Sequence, residues 1–496
     1  MKNSIYRFVS RSLCIVILIL IFSSQAVFAA DSARSETYLD SVMELIQEQY
    51  YGEISDDKLV DNAIRGMLNS LDDYTTYYDN EEKDVFMDSI TGIFGGIGVT
   101  MEMSGDYIII SKVFTESPAE KAGLQQGDKI VEAAGVDLVR ATSEKAASII
   151  KGEPGTTVKL GILRNGSNDK IYINVVREII KVNPVTYENR NGIGYIRLDM
   201  FNENTSEYIN QALAEFDNRK INNIVLDLRD NPGGEVSQAV ALARRIVPEG
   251  LITKLDYKSD KYKDIDYYST LKQSKYKIAV LVNGMSASAS EIVSGAVQDT
   301  GAGVLIGTKT FGKAKFQSLI PILTKEAYEK YSEILGRGIV DVYELYNYNI
   351  FPDEEQINGY AKMTLGVYYT PKGRMIDEVG LTPDIPVADP QPVAGISVAS
   401  IQRLTKSVDL RLNNQGSDIY NAKKILKVMG YEITTIDSNF DKALETALKK
   451  YQTAKKLDAN GILDIKTQIA LNADLLQLVL KYDTQYAEAV KYLKGK

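Results

Sequence analysis

The sequence predicts a multidomain α+β protein: a β-rich module placed before an α/β core, with helical regions at the N- and C-terminal ends. Three observations predict it. Residues 190–320 alternate continuous apolar strands with helical segments, the pattern of a parallel sheet covered on both faces. Residues 93–178 switch to short strands punctuated by glycine turns, the texture of a compact sandwich or barrel. Residues 35–90 and those beyond about 413 carry apolar side chains at helical spacing. A chain of 496 residues exceeds one ordinary core, and 44% hydrophobic with 25% charged residues is a folded composition.

Lys2, Arg7 and Arg11 precede the apolar run Leu13–Phe22, and small residues lead to Val27-Phe28-Ala29. That is a secretory signal peptide over 1–29, with cleavage expected after Ala29; an uncleaved membrane anchor is the alternative. Helical spacing follows over 30–92, with Leu39, Val42, Met43, Ile46 and Tyr50, then Leu59, Ala63, Ile64 and Met67. Leu71–Tyr77 is a polar and aromatic junction. The β-rich module takes 93–178, with Ile108–Ile110 and Thr157–Ile162 as strands and Pro118–Ala122 and Thr142–Ile150 as helices. In the core, 179–390, the strands Gly194–Leu198, Ile224–Leu228, Ile278–Val282 and Val304–Ile306 alternate with helices Asn204–Phe216, Glu235–Ile246 and Ala287–Gln298. Pro383, Pro386, Pro390 and Pro392 mark its end. A linker is expected over 391–412, and a small all-helical domain over 413–496.

Composition excludes much chemistry. There is no histidine, so no Ser-His-Asp or Cys-His system and no H-E-x-x-H metal site is available. Cys14 is the single cysteine, so no internal disulfide or cysteine metal cluster exists. No metal or other cofactor is expected. A net charge of -9 argues against nucleic acid as a partner.

Sheets of this kind hold their chemistry at the carboxyl ends of strands. Val282–Ile292 runs from a strand through a flexible turn into Ser286-Ala287-Ser288-Ala289-Ser290-Glu291 and a helix. A hydroxyl there sits near N-terminal amides that favour an anion; simple helix capping by the serines is the competing reading. Gly307–Gln317 follows the next strand. Without histidine, a serine nucleophile needs another base, and a neutral lysine amine is the natural one. Lysine ordinarily titrates near 10.4, so burial must lower it for work near neutrality. Lys309, Lys313 and Lys315 all compete for this role, and strand alternation does not choose among them. Gln317, four residues beyond Lys313, could hold its amine. Gly307–Lys313 also fits a nucleotide P-loop, but Ala314 lacks the required hydroxyl. Ser148–Lys151 and Ser269–Lys272 match S-x-x-K, without the S-D-N and K-T-G elements of penicillin-binding chemistry.

The S-A-S-A-S-E-I run followed by Gly307–Gln317 closely resembles the C-terminal processing, or tail-specific, serine proteases. So do Leu226–Gly234, Tyr368–Arg374 and Gly380–Ile385. The resemblance implies Ser288 as nucleophile, Lys313 as its base and Gln317 as the residue orienting that base. It places the oxyanion hole at Gly233 or Gly234 with the Ala289 amide. Residues 93–178 resemble the PDZ domain of the same family, supported by Ser117–Leu124. The substrate-tail loop is then Phe94, Gly95, Gly96, Ile97, Gly98 and Val99, whose amides would capture a C-terminus. Lys151 stands where relatives often carry an arginine coupling PDZ position to catalysis. Residues 413–496 resemble a helical peptidoglycan-binding domain. A stretch of about 35 residues between Gln317 and Ala361, rich in tyrosine, departs from the family pattern; a lid, a partner surface or a narrowing of the substrate channel is expected, with a surface elaboration of no catalytic role as the alternative. Together these imply an exported serine endopeptidase, PDZ-gated and acting on proteins through their C-terminal tails. A homodimer is expected as well; for the helical C-terminal domain, peptidoglycan contact is one reading and a structural or dimerisation role the other. The alternative is a non-catalytic PDZ scaffold binding protein C-termini and cell wall, which would bind tails without cleaving.

Overall fold

The computed structural model describes residues 38–495 apart from 115, 165, 166, 168 and 407. The signal-peptide assignment over 1–29, with Cys14, lies outside the described residues. Two compact units are present, one up to Asn80 together with Ser318–Met363, the other Glu81–Gln317 together with Thr364–Lys496.

The larger unit is built on a six-stranded sheet of β1 (Val185–Arg190), β2 (Ile193–Leu198), β3 (Asn223–Asp227), β4 (Lys277–Val282), β5 (Gly303–Gly307) and β6 (Ile385–Pro386), in that spatial order. β1 is antiparallel to β2 and all later pairs are parallel. Alternation along each strand sorts side chains to two faces. Ile224 and Leu226 of β3, with Ile278, Val280 and Val282 of β4, join one core under helices α1 (Thr205–Asn218), α2 (Val236–Ile246) and α3 (Ala289–Thr300). Val225, Ala279, Leu281 and Ile306 point the other way, into a second core. This second core is closed by the C-terminal helices Ser417–Val428, Lys442–Ala454 and Ile465–Tyr482, with α4 (Thr484–Leu493) packed on β3, β4 and β5. Residues 391–412 contribute buried Ile396, Val398, Ile401 and Leu404 to it. The expected covering of both faces is present, and its second layer comes from the chain's end. One apolar core thus runs across the boundary that the prolines suggested.

Residues 93–181 form the β-rich module: Val99–Ser104, Tyr107–Val113, Lys129–Ala133, Thr157–Leu163 and Ile171–Val176 make one sheet, and Ile93–Gly96 pairs with Glu178–Lys181. Ile108, Ile110, Ile130, Leu160 and Ile162 fill its centre. The S-P-A run has a local cause: the Ser117 hydroxyl accepts from Glu120 N at 3.2 Å, and Pro118 opens the short helix Pro118–Lys121.

In the smaller unit, helices over 38–49 and Asp56–Asn69 precede a strand, Thr76–Tyr78, antiparallel to Tyr360–Lys362. The aromatic junction therefore ends in a strand; Tyr77 is buried and its hydroxyl donates to Asn358 O and to Asp61. The tyrosine-rich stretch folds around its own core: helices Lys325–Leu335 and Val342–Tyr346 bury Ala327, Tyr331, Val342 and Leu345. Tyr343, Tyr346, Tyr348 and Phe351 remain exposed.

Candidate active site

The loops after β3, β4 and β5 converge at the carboxyl edge of the sheet. After β4 the chain turns through Asn283–Ala287 and enters α3 with Ser288 at its N-cap, at φ 55° and ψ -115°. A positive φ is costly for a side-chain-bearing residue and marks a position held by its surroundings. The neighbouring serines hold it. The Ser286 hydroxyl donates to Leu228 O at 2.7 Å, and the Ser290 hydroxyl to Asn231 O at 3.0 Å. Two of the three serines thus tie the turn to the loop after β3, with Ser288 between them.

The loop after β3 passes beside Ser288 as closely as a backbone can. A Cβ on Gly233, at φ 105°, would lie 2.8 Å from Ser288 Cβ and 2.9 Å from Ala289 N. Only glycine permits this approach. Gly234 is pressed against Phe201, whose carbonyl would meet a Cβ at 2.1 Å. The Gly233 amide donates to Asn231 Oδ1 at 2.9 Å, and Asn231 Nδ2 donates to Leu198 O at 2.8 Å. Gly233, Gly234 and Ala289 are therefore neighbours of Ser288, with the Gly233 amide engaged by Asn231.

After β5, residues 308–314 lead into the strand Lys315–Leu323. No helix follows Lys313, so the P-loop context is absent. The three lysines differ in their settings. Lys309 is exposed. Lys315 lies 3.5 Å from Asp377 Oδ2. Lys313 Nζ donates to Gln317 Oε1 at 3.0 Å, and Gln317 Nε2 donates onward to Thr364 Oγ1 at 3.1 Å. The lysine and glutamine predicted to act together are directly bonded.

Two residues to which the sequence assigned no role join these loops. Glu291, in the first turn of α3, is fully buried, and its carboxylate accepts four bonds. Oε1 takes the Thr310 hydroxyl at 2.6 Å and the Gly312 amide at 2.8 Å; Oε2 takes the Lys313 and Ser288 amides, each at 2.9 Å. Burial pushes this carboxyl above its usual range, and the four donors oppose the shift. Its place three residues after the N-cap, where a glutamate can reach back to the cap amide, was the available signal. Tyr368, 1% exposed, donates its hydroxyl to Ser288 O at 3.0 Å and Lys313 O at 2.6 Å. The Y-Y-T-P motif thus clamps both segments. Leu381 N donates to Thr310 Oγ1 at 2.6 Å, bringing the G-L-T-P motif to the same place.

Behind the loop after β3 lies a second buried charge cluster. Asp227, fully buried, accepts from Arg229 Nε at 2.9 Å and from the Tyr195 hydroxyl at 2.7 Å. Burial alone would raise this carboxyl, but Arg229, Arg197 and the Tyr195 hydroxyl together outweigh it and hold the group below its usual range. Among the described residues no group of acidic side chains is arranged to hold a metal ion.

In the β-rich module, Gly98 adopts φ 78° with Ser117 beneath it, and Gly95 lies against Gly152 O. Phe94, Gly95 and Gly96 are in the strand paired with Glu178–Ile180, followed by Ile97 and then by Gly98 and Val99. The Lys151 amine sits 2.9 Å from Asp88 Oδ2 and 4.3 Å from the centre of the Phe94 ring.

The description "Peptidase family S41" matches residues 192–387, a PDZ domain 95–175, a putative peptidoglycan binding domain 415–471, and the N-terminal domain of the activating protease CtpB 24–82. Carboxy-terminal processing protease CtpA of Bacillus subtilis is 30% identical, the match covering 92% of this chain and 90% of that protein. A probable CtpA-like serine protease of Staphylococcus epidermidis is 31% identical, over 92% of this chain and 85% of that protein. The carboxy-terminal-processing protease of Bartonella bacilliformis reaches 35% over 71% of this chain and 74% of its own. With the loops after β3, β4 and β5 tied together at the sheet's carboxyl edge, and with relatives matched along nearly the whole chain, this protein belongs to peptidase family S41, among the carboxy-terminal processing serine proteases.

Proposed function

We propose that the chain is an exported endopeptidase in which Ser288 and Lys313 form the catalytic pair and Gln317 orients the amine. One observation carries this reading: the Lys313–Gln317 bond is tied to the Ser288 turn through Glu291, which accepts the amides of both Ser288 and Lys313. Neutral Lys313 takes the proton from the Ser288 hydroxyl as its oxygen adds to the peptide carbonyl. The resulting oxyanion is received by the Ala289 amide and by the Gly233–Gly234 turn. Lys313 then gives the proton to the leaving amine, and later accepts one from the water that releases the acyl group. Substrates are recognised by their C-terminal tails at the loop Phe94–Val99, and Lys151 couples that domain to the core through Asp88 and Phe94. The helical C-terminal region offers contact with peptidoglycan. Leu39, Leu45 and Met67, exposed on the N-terminal helices, are the surface for a homodimer.

The deciding measurement is cleavage of an unstructured protein with an apolar C-terminus by the wild type, Ser288→Ala and Lys313→Ala, each shown to be folded. Loss of at least about a thousandfold in either variant is expected. Retained turnover removes the role given to that residue. Binding of the tail without cleavage by the wild type would establish a scaffold instead. Wild-type activity should climb between about pH 5 and 9 as the amine loses its proton.

A further inference from the structure

Residues 472–496 lie beyond both the S41 match, which ends at 387, and the peptidoglycan-binding match, which ends at 471. Their helix α4 nevertheless packs on the core strands β3, β4 and β5, and its first residues reach the loop that flanks Ser288. Asp483, which caps α4 by accepting Tyr486 N at 3.0 Å, also receives both terminal nitrogens of Arg229, each at 2.9 Å. Gln485 Oε1 accepts from Arg229 Nη1 at 3.1 Å. Arg229 is 4% exposed, so this fork is desolvated, and it is paired with a carboxylate on either side, Asp227 and Asp483.

The consequences reach both reacting segments. Arg229 belongs to the Leu228–Gly234 loop, whose Leu228 carbonyl receives the Ser286 hydroxyl and whose Asp230 amide donates to Asn283 Oδ1 at 3.0 Å. Gln485 Nε2 donates to Asp389 Oδ1 at 2.8 Å, and Asp389 accepts from the Thr308 hydroxyl of the lysine-bearing loop at 3.3 Å. One turn of one helix therefore holds the loop beside Ser288 directly and the loop of Lys313 through one intermediate.

We infer that Asp483, supported by Gln485, is a positioning residue for peptide-bond cleavage, and that α4 is a working part of the protease and not a tail of the helical domain. Asp483 does this by fixing Arg229, so that Gly233 and Gly234 stay within reach of the oxyanion. The inference rests on the reading of Ser288 as nucleophile.

The test uses the full chain with Asp483→Asn, Asp483→Ala and Leu493→Ala, the last a buried residue of the same helix away from Arg229. Loss of a buried charged bond predicts a fall in kcat of about 10- to 100-fold for Asp483→Asn, with KM changed by less than about threefold. Leu493→Ala should lower the melting temperature and leave kcat near wild type. A kcat for Asp483→Asn within about twofold of wild type overturns the inference. So does an equal kcat loss in Leu493→Ala at matched loss of stability. Amide hydrogen exchange reads the positioning without turnover. Exchange at Leu228–Gly234 should quicken in Asp483→Asn while α4 stays protected, and unchanged exchange there overturns the inference. Cleavage that survives Ser288→Ala would instead overturn the reading of Ser288, and the exchange result would still decide the role of Asp483.

Discussion

Asp227 and Glu291 are both fully buried carboxylates at the carboxyl edge of one sheet, and their surroundings are opposite in kind. Asp227 is held by a guanidinium and a phenol, and its acidity rises; Glu291 is held by a hydroxyl and three amides, and its acidity falls. Neutral donors satisfy every lone pair of Glu291 yet return less of the lost hydration than a full positive charge does. The difference separates two tasks. Asp227 with Arg229 is a fixed peg under the loop beside Ser288. Glu291 is a joint, whose four donors come from both the nucleophile turn and the lysine loop.

The sharpest way to break this contrast is to remove the peg's charge. Asp227→Asn leaves Arg229 paired with Asp483 but replaces the charged acceptor of its Nε, its Nη2 and the Tyr195 hydroxyl by a neutral amide, and each hydrogen bond to a charged group is typically worth about 1.5 to 3 kcal/mol. A large fall in denaturation midpoint is expected in urea titration. A variant as stable as wild type would mean that Asp227 is not the anchor described. Glu291→Gln comes second. An amide nitrogen in place of one oxygen would face either Thr310 and Gly312 or the Ser288 and Lys313 amides, donor against donor. At about 1 to 3 kcal/mol for each donor left unmatched, kcat should fall on the order of 100-fold. A wild-type kcat in a folded Glu291→Gln protein would refute the joint.

Much of this edge was legible in the chain. Continuous apolar strands gave the parallel sheet, because residues such as Ile224–Leu226 must be buried on both faces. The two loops after β4 and β5 followed from that, and with histidine absent a lysine was the natural base for a serine there, while the pair itself was named by family likeness. Choosing Lys313 over Lys309 and Lys315 depended on family likeness; the distinction is tertiary, since Asp377, which pairs with Lys315, lies far along the chain. The register of short-range patterns also misplaced the start of α3. Small residues from Ala287 onward suit a helix, but Ser288 takes a positive φ outside the helical region and the helix begins at Ala289. The second cover of the sheet was not legible at all. Helical spacing in 413–496 marks an apolar face without naming what it packs against, and nothing local in Asp483 or Arg229 announces their bond across more than half the sequence.

Acidity offers a subtler probe of the same contrast, because the two carboxylates bend stability in opposite directions. Asp227 titrates below its ordinary value near 3.9 when folded, so its contribution is complete above about pH 4 and fades only as the solution is acidified further. Glu291 titrates above its ordinary value near 4.3 when folded, so the native state holds a proton that the unfolded chain has already released. Its contribution is complete below about pH 4.3 and declines as pH rises through its raised value. Melting temperatures measured from pH 4.5 to 7 should therefore show the wild type losing ground against Glu291→Gln, by an amount smaller than either substitution costs outright. Over the same window the gap between wild type and Asp227→Asn should hold steady, narrowing only in stronger acid. Parallel curves for wild type and Glu291→Gln would show that the four donors offset burial completely, and the two carboxylates would then differ in partners without differing in how firmly they keep their charge.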